Sequence, residues 1–230
     1  MQSGRQNPHQ LQSTGQPHAA GPSRGGWSPG HLEDPALLTH DVEHAFPESS
    51  LAIALGANLP SPAGPPRATL LAVRPLLQTL LQGIGATLHW SPLFRTAAVG
   101  GPAGQADYLN AVLVMTQVSP ADPARALWLL GELQELERRF ARQRRIHWGP
   151  RSLDLDLLWW GELQFRNETL ELPHPRLLER AFVLAPLATV NPILRPPGTC
   201  TTSTELLAQV QRATPDLALK QLPGRPGWPE

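Results

Sequence analysis

A chain of 230 residues, 41% of them hydrophobic, has the length of one domain with an appendage. Lysine plus arginine balance aspartate plus glutamate at 19 each, which argues against a nucleic-acid or membrane-surface partner. The single cysteine, Cys200, excludes an internal disulfide and suits a reducing cytoplasm, and its Thr/Ser-rich neighbourhood offers no histidine to activate it as a nucleophile.

The 26 prolines are about twice the ordinary share and gather toward the two ends. Residues 1–49 read as a low-complexity, disordered tail, too poor in apolar side chains to offset ordering entropy. They carry neither a signal-peptide core nor a basic amphipathic pattern, and no run in the chain has the length of a membrane span. The expectation is a soluble, cytoplasmic protein.

Pattern begins at Leu51, where Leu51 to Leu55 form a short apolar run stopped by Gly56, as in a buried strand. After a Pro/Gly-rich loop, apolar residues from Ala68 to Leu81 recur at helical spacing, with Pro75 as an internal blemish and Gly83 and Gly85 as stop signals. Thr87 to Ala98 reads as a second strand bent near Pro92, and Tyr108 to Val118 as a third. Asp122 and Pro123 give a strong helix start, and that helix ends in an arginine-dense segment. Ser152 to Trp160 is a fourth strand, which Gly161-Glu162 would turn into a hairpin. His174 to Val190 is partly helical, and a short helix is expected near Glu205 to Arg212. The order of strand, helix, two strands, helix, strand predicts an α+β sandwich of ferredoxin-like kind. The expected boundaries are a tail over 1–49, a catalytic domain over 50–198 and a helical, proline-rich C-terminal extension over 199–230.

The chemistry concentrates between Arg142 and Leu158. Strand alternation places Ser152, Asp154 and Asp156 on one face, while Leu153, Leu155 and Leu157 bury on the other. Two carboxylates about 7 Å apart along a strand repel unless a cation lies between them. Magnesium takes one or two carboxylates together with substrate phosphates. By itself the Asp-Leu-Asp string reads equally well as a solvated strand edge. Arg142, Arg144, Arg145 and Arg151 tip the balance, because arginine forks match phosphate oxygens. The Gly56-Ala57-Asn58-Leu59 turn lacks the Gly-Lys-Ser/Thr ending of a Walker phosphate loop. Tyr108, Asn110 and Phe182 suit a flat heteroaromatic ligand, although core packing is the default for such aromatics.

Gly56-Ala-Asn-Leu, Phe94-Arg-Thr96, Tyr108-Leu-Asn110, Trp148-Gly-Pro-Arg-Ser-Leu-Asp-Leu-Asp156, Pro173-His-Pro and Arg180-Ala-Phe182 occur in this order. In this the chain resembles the 6-hydroxymethyl-7,8-dihydropterin pyrophosphokinases of folate biosynthesis, from about Leu51 to Pro192. The resemblance implies a three-layer α-β-α domain with a ferredoxin-like core that transfers pyrophosphate from ATP to the pterin hydroxymethyl group and releases AMP. It implies Asp154 and Asp156 as ligands of two magnesium ions. It implies Asn58, Thr96, Ala97, Val99, Tyr108, Asn110 and Phe182 at the pterin site, and Gln134, Glu137, Arg151, Leu157, His174 and Arg180 at the nucleotide site. Arg142, Arg144, Trp148 and Arg151 match the mobile catalytic loop. The expected partners are small molecules alone, with no nucleic acid or membrane, and the expected state is a monomer. Four positions depart from the family pattern: Ala57 replaces a serine, Phe94 a tyrosine, Ala141 a glycine and His147 an arginine. A non-catalytic nucleotide- or pterin-binding protein is the rival reading, and a basic nucleic-acid module around Arg138 to Arg151 a more distant one.

Overall fold

The computed structural model describes residues 47–142, 149–214, 218–224 and 228. The expected disorder of the tail therefore falls outside the described residues, except that Pro47–Ser49 form a 3-10 turn leading into the first strand.

Strand β1 (Ser50–Ala57) is buried along its length apart from Ala54, as its unbroken apolar run requires of a strand covered on both faces. It pairs antiparallel with β4 (Tyr108–Thr116) on one side and β5 (Asp154–Trp160) on the other. Beyond β4 lie β2 (Thr87–Trp90) and β3 (Phe94–Thr96), and β3 in turn pairs with β8 (Leu219–Gln221), giving a sheet of order β5-β1-β4-β3-β8 with β2 also on β4. The single expected strand over Thr87 to Ala98 is thus two. At the break, Pro92 has no N–H to donate to a ladder, and the Ser91 hydroxyl instead accepts the Val112 N–H at 2.9 Å.

Helices α1 (Pro66–Leu80) and α2 (Pro123–Arg139) cover one face of the sheet. Leu51, Ile53 and Leu55 of β1 and Leu153, Leu155 and Leu157 meet Leu70, Val73, Leu77, Leu129, Leu133 and Leu136 there. Helix α3 (Ala181–Val190) covers the opposite face, where Val183 and Leu187 pack on Ala52, Val112, Val114 and Trp159. Helix α4 (Ser203–Ala213) lies beside α3. The expected α-β-α sandwich is the fold observed, and α4 and β8, from the stretch expected as an extension, both pack onto it.

Local chemistry fixes the ends. Asp122 accepts the Arg125 N–H at 2.9 Å to cap α2, and Thr202 with Glu205 forms a full capping box on α4. Alternation in β5 holds through Leu157 and then slips, because a bulge opposite Ala52/Ile53 inserts Leu158. Leu158 and Trp159 consequently enter the second core while Trp160 returns to the first. Gly161 makes the expected turn at φ 54°, but among the described residues no strand returns along β5. Among the described residues the next two strands, β6 (Phe165–Arg166) and β7 (Glu171–Leu172), pair only with each other.

Candidate active site

Strand β5 lies at the sheet edge, so Leu155 presents a backbone N–H that no strand accepts. The buried Glu137 carboxylate, from the last turn of α2, takes that hydrogen bond at 2.8 Å. Helix α2 then closes in a Schellman arrangement, with Ala141 N–H donating to Arg138 O and Arg142 N–H to Glu137 O, each at 3.0 Å. Ala141 sits at φ 59°, the left-handed position that favours glycine. The closure folds Arg142 inward, its side chain only 7% exposed, where it pairs with both Glu137 and Asp154.

Asp154 and Asp156 project from β5 on the face opposite the leucines, as alternation predicts, with side chains 19% and 32% exposed. Ser152 precedes the strand and is buried. Arg151 donates to Asp154 Oδ2, and Arg180 donates to Asp156 Oδ2 at 3.0 Å. Asp154 Oδ1 is 2.8 Å from an Arg142 nitrogen yet lacks the alignment of a hydrogen bond. Burial raises the Asp154 pKa above the usual aspartate value, the charge of Asp156 adds to this, and Arg142 and Arg151 oppose it. His174 accepts the Arg176 N–H on Nδ1 at 3.1 Å, and its Nε2 lies 3.4 Å from an Arg180 nitrogen and 3.9 Å from Asp156 Oδ2. Burial lowers the His174 pKa and Arg180 adds to this, while Asp156 works against them.

Arg151, Asp154, Asp156 and Arg180 form one end of a cavity of 210 Å³. Its other end is lined by Gly56, Thr96, Ala97, Ala98, Val99, Tyr108, Asn110 and Phe182. Asn110 donates to Thr96 Oγ1 at 2.7 Å, and both residues are buried. A Cβ on Gly56 would lie 3.0 Å from Asn110 Oδ1, so any side chain here would press on the Asn110 amide. The Tyr108 hydroxyl donates to Gly149 O at 3.1 Å, and the Arg180 guanidinium stands over the Phe182 ring, 5.5 Å from its centroid. Asn58 ties the wall to the loop before β5, accepting the Arg151 N–H at 2.7 Å and donating to Ala106 O at 3.0 Å.

The main cavity thus brings the expected pterin-end residues except Asn58 together with Arg151, Asp154, Asp156 and Arg180, but His174 is not in its lining. Gln134, Glu137 and Arg142 line a second recess, of 200 Å³, at the end of α2. Leu157 lines neither, because its side chain is buried in the first core. Arg144 and Trp148, with Arg145 and His147, lie outside the described residues. Sequence reasoning missed Arg176, Glu179, Val210 and Thr214, which also line the main cavity. No local motif marks them, and Val210 and Thr214, from α4 and its C-cap, reach the site only through the packing of the third layer.

The donor set fits magnesium. Two carboxylates share a face, one with a buried oxygen lacking a hydrogen-bond partner, and hard oxygen donors are what that ion takes. Among the described residues no group of three or more His, Cys, Asp or Glu could cage a metal. The carboxylates suit an ion that completes its shell from phosphate and water. Among the described residues, no helix is long and apolar enough to cross a membrane.

Comparison with known proteins bears on this site. A protein named 2-amino-4-hydroxy-6-hydroxymethyldihydropteridine pyrophosphokinase from Pseudomonas aeruginosa is 36% identical over 173 residues, covering 75% of this chain and 96% of that one. A protein of the same name from Haemophilus influenzae is 40% identical over 136 residues, covering 59% and 77% respectively. The crystal structure of wild-type Plasmodium falciparum HPPK-DHPS with pteroate superposes with a TM-score of 0.50 at 13% identity, which speaks to the fold alone. That match covers 73% of this chain and 43% of the longer one. Residues 52–192 match the sequence profile of the family described as 7,8-dihydro-6-hydroxymethylpterin-pyrophosphokinase. With more than half its length matched by that profile, this chain belongs to the 7,8-dihydro-6-hydroxymethylpterin-pyrophosphokinase family.

Proposed function

We infer that the protein transfers pyrophosphate from ATP to the hydroxymethyl group of 6-hydroxymethyl-7,8-dihydropterin and releases AMP, a step of folate biosynthesis. The observation that carries this is one cavity with an aromatic and amide end, Tyr108, Phe182 and Asn110, facing a carboxylate and arginine end, Asp154, Asp156, Arg151 and Arg180. A pterin is flat and rich in hydrogen-bonding edges, and the triphosphate is its electrostatic opposite.

In this reading Tyr108 and Phe182 hold the faces of the pterin, while Asn110 and Thr96, already paired, offer polar atoms to its edge. Ala97 and Val99 bound that end, and Asn58 keeps the wall in register with the loop bearing Arg151. Gln134, Glu137, His174, Arg180 and the Leu157 backbone serve the nucleotide. The hydroxymethyl oxygen attacks the β-phosphorus, the bond from that phosphorus to the α-phosphate oxygen breaks, and AMP departs. Positioning and charge stabilisation do most of the work in such transfers. Arg142, Arg144 and Arg151 meet the phosphate oxygens, with Trp148 in the same loop. Two magnesium ions held by Asp154 and Asp156 would neutralise phosphate charge. The working unit is a monomer in the cytoplasm acting on small molecules, without nucleic acid or membrane. Its domain spans 50–198, preceded by the tail over 1–49 and completed by α4 and β8 of the segment over 199–230, which pack onto it.

The test is AMP release that requires both the pterin and magnesium, run beside Asp154→Ala and Asp156→Ala. Full activity in both variants would sink the metal assignment, and AMP release indifferent to the pterin would sink the reaction.

A further inference from the structure

The pterin end of the cavity hangs on a slender support. Strand β3, which carries Thr96 and runs directly into Ala97 and Val99, is only three residues long. On one side it pairs with β4, and on the other with β8, which arrives from more than a hundred residues later in the sequence. The β8 side bonds the pocket wall itself: Ala97 N–H donates to Ala218 O at 3.3 Å, and Leu222 N–H donates to Leu93 O at 2.8 Å. Among the described residues β8 has no further neighbour in the sheet, and two of its three residues are exposed. So short an outer strand has little to hold it in place.

What holds it lies just beyond. The Trp228 side chain is 2% exposed and wedged against the turn between β2 and β3. Its indole N–H donates to Ser91 O at 2.8 Å, and its ring meets Trp90 edge-on, with centroids 5.2 Å apart and planes at 76°. Ser91 is fully buried and bonds Val112 of β4 through both backbone and hydroxyl. Trp90 packs on the Arg74 guanidinium of α1 at 5.0 Å. Trp228 therefore fastens the chain end to a fixed corner joining β2, β4 and α1. Trp228 also adopts φ 61°, a backbone conformation that bulky residues rarely take without compensating contacts.

We propose that Trp228 is a positioning residue for the pterin end of the site: anchored on Ser91 and Trp90, it holds β8 against β3 and so fixes Thr96 and Ala97 for the pterin. Among the described residues, the hydrogen bonds and ion pairs of the carboxylate and arginine end, built on β5, α2 and the Pro173-His174-Pro175 segment, run to other partners than Trp228, Trp90 and Ser91. Loss of Trp228 must then weaken pterin binding selectively and leave the nucleotide end as it was. The inference rests on the assignment of the pterin to the Thr96–Asn110 wall.

The experiment uses the full-length chain and its Trp228→Ala and Trp228→Phe variants, with Asn110→Ala as the control on the pocket. Pterin affinity, affinity for a non-hydrolysable magnesium-ATP analogue, turnover at saturation and amide exchange at Ala97 are measured on each. In Trp228→Ala the pterin Kd is expected to rise about tenfold, or 1.4 kcal/mol. The nucleotide Kd and saturated turnover stay within about twofold, and the Ala97 amide exchanges faster. Trp228→Phe, keeping the ring contact but not the N–H, falls between. An unchanged pterin Kd in Trp228→Ala while Asn110→Ala binds pterin poorly would overturn the proposal, as would equal losses at both ends. If Asn110→Ala binds pterin normally, the pocket assignment itself has failed. Should Trp228→Ala not fold, the ratio of the two affinities in Trp228→Phe decides, an unchanged or equally shifted pair being refutation.

Discussion

Replacing Ala141 with glycine should stabilise the protein. Ala141 occupies φ 59° at the residue after the α2 C-cap, where the two closing hydrogen bonds to Arg138 O and Glu137 O demand a left-handed backbone. A residue with a Cβ pays about 1–2 kcal/mol there. Glycine removes that strain, but its freer unfolded chain takes back about 0.4–1 kcal/mol. The net gain is about 0.5–1 kcal/mol, and at about 2–4 °C per kcal/mol for a domain of this size the melting point should rise by about 1–4 °C. Calorimetry on the ligand-free protein, with Ala141→Val beside Ala141→Gly, measures it. Valine, with its stiff branched side chain, should lower the melting point by more than glycine raises it. A glycine variant no more stable than the parent, with a neutral valine variant, would refute the claim that backbone conformation governs this position.

Arg142→Ala should reduce turnover by about a hundredfold, the usual scale for losing one transition-state donor, while changing nucleotide affinity far less; equal turnover in mutant and parent would refute the role. Gly56→Ala forces a methyl to within 3.0 Å of Asn110 Oδ1 and should displace the Asn110–Thr96 pair. Pterin affinity would then fall by about 1–3 kcal/mol, the usual scale of overpacking, which a binding titration reads directly. Tyr108 is the sole tyrosine, and its pKa is raised above the ordinary 10.0 chiefly by burial. Its phenolate absorbance should therefore appear at higher pH in the folded than in the urea-unfolded protein. Because the folded value is the raised one, the neutral phenol's contribution to stability is intact below the unfolded pKa. It is lost as pH climbs through the folded one.

The sheet and its helices were legible because their periodicities are strong and their ends chemically marked: Asp122-Pro123 starts α2 as read, and Leu153, Leu155 and Leu157 bury as alternation requires. The carboxylate face was legible for the same reason. What escaped depends on partners distant in sequence. Nothing near Leu158 announces the bulge, which arises from pairing with β1. Nothing near Val210 or Thr214 announces a cavity wall, and nothing in the Pro-Gly-rich ending distinguishes Trp228 from an exposed aromatic. Ala141 is intermediate: its departure from glycine is visible in sequence, but the reason glycine belongs there needs the backbone angle.

The pairing of acids and bases at the phosphate end has a kinetic consequence. Among the described residues, Glu137, Asp154 and Asp156 stand against Arg142, Arg151 and Arg180, so opposite charges neutralise each other locally in a chain that is itself neutral. Such a surface projects little field beyond a Debye length, about 8 Å at physiological salt. On the proposed assignment the nucleotide would arrive by ordinary diffusion and compete at contact range for arginines already engaged, so its association rate should change little with ionic strength while its dwell time reports the exchange of partners.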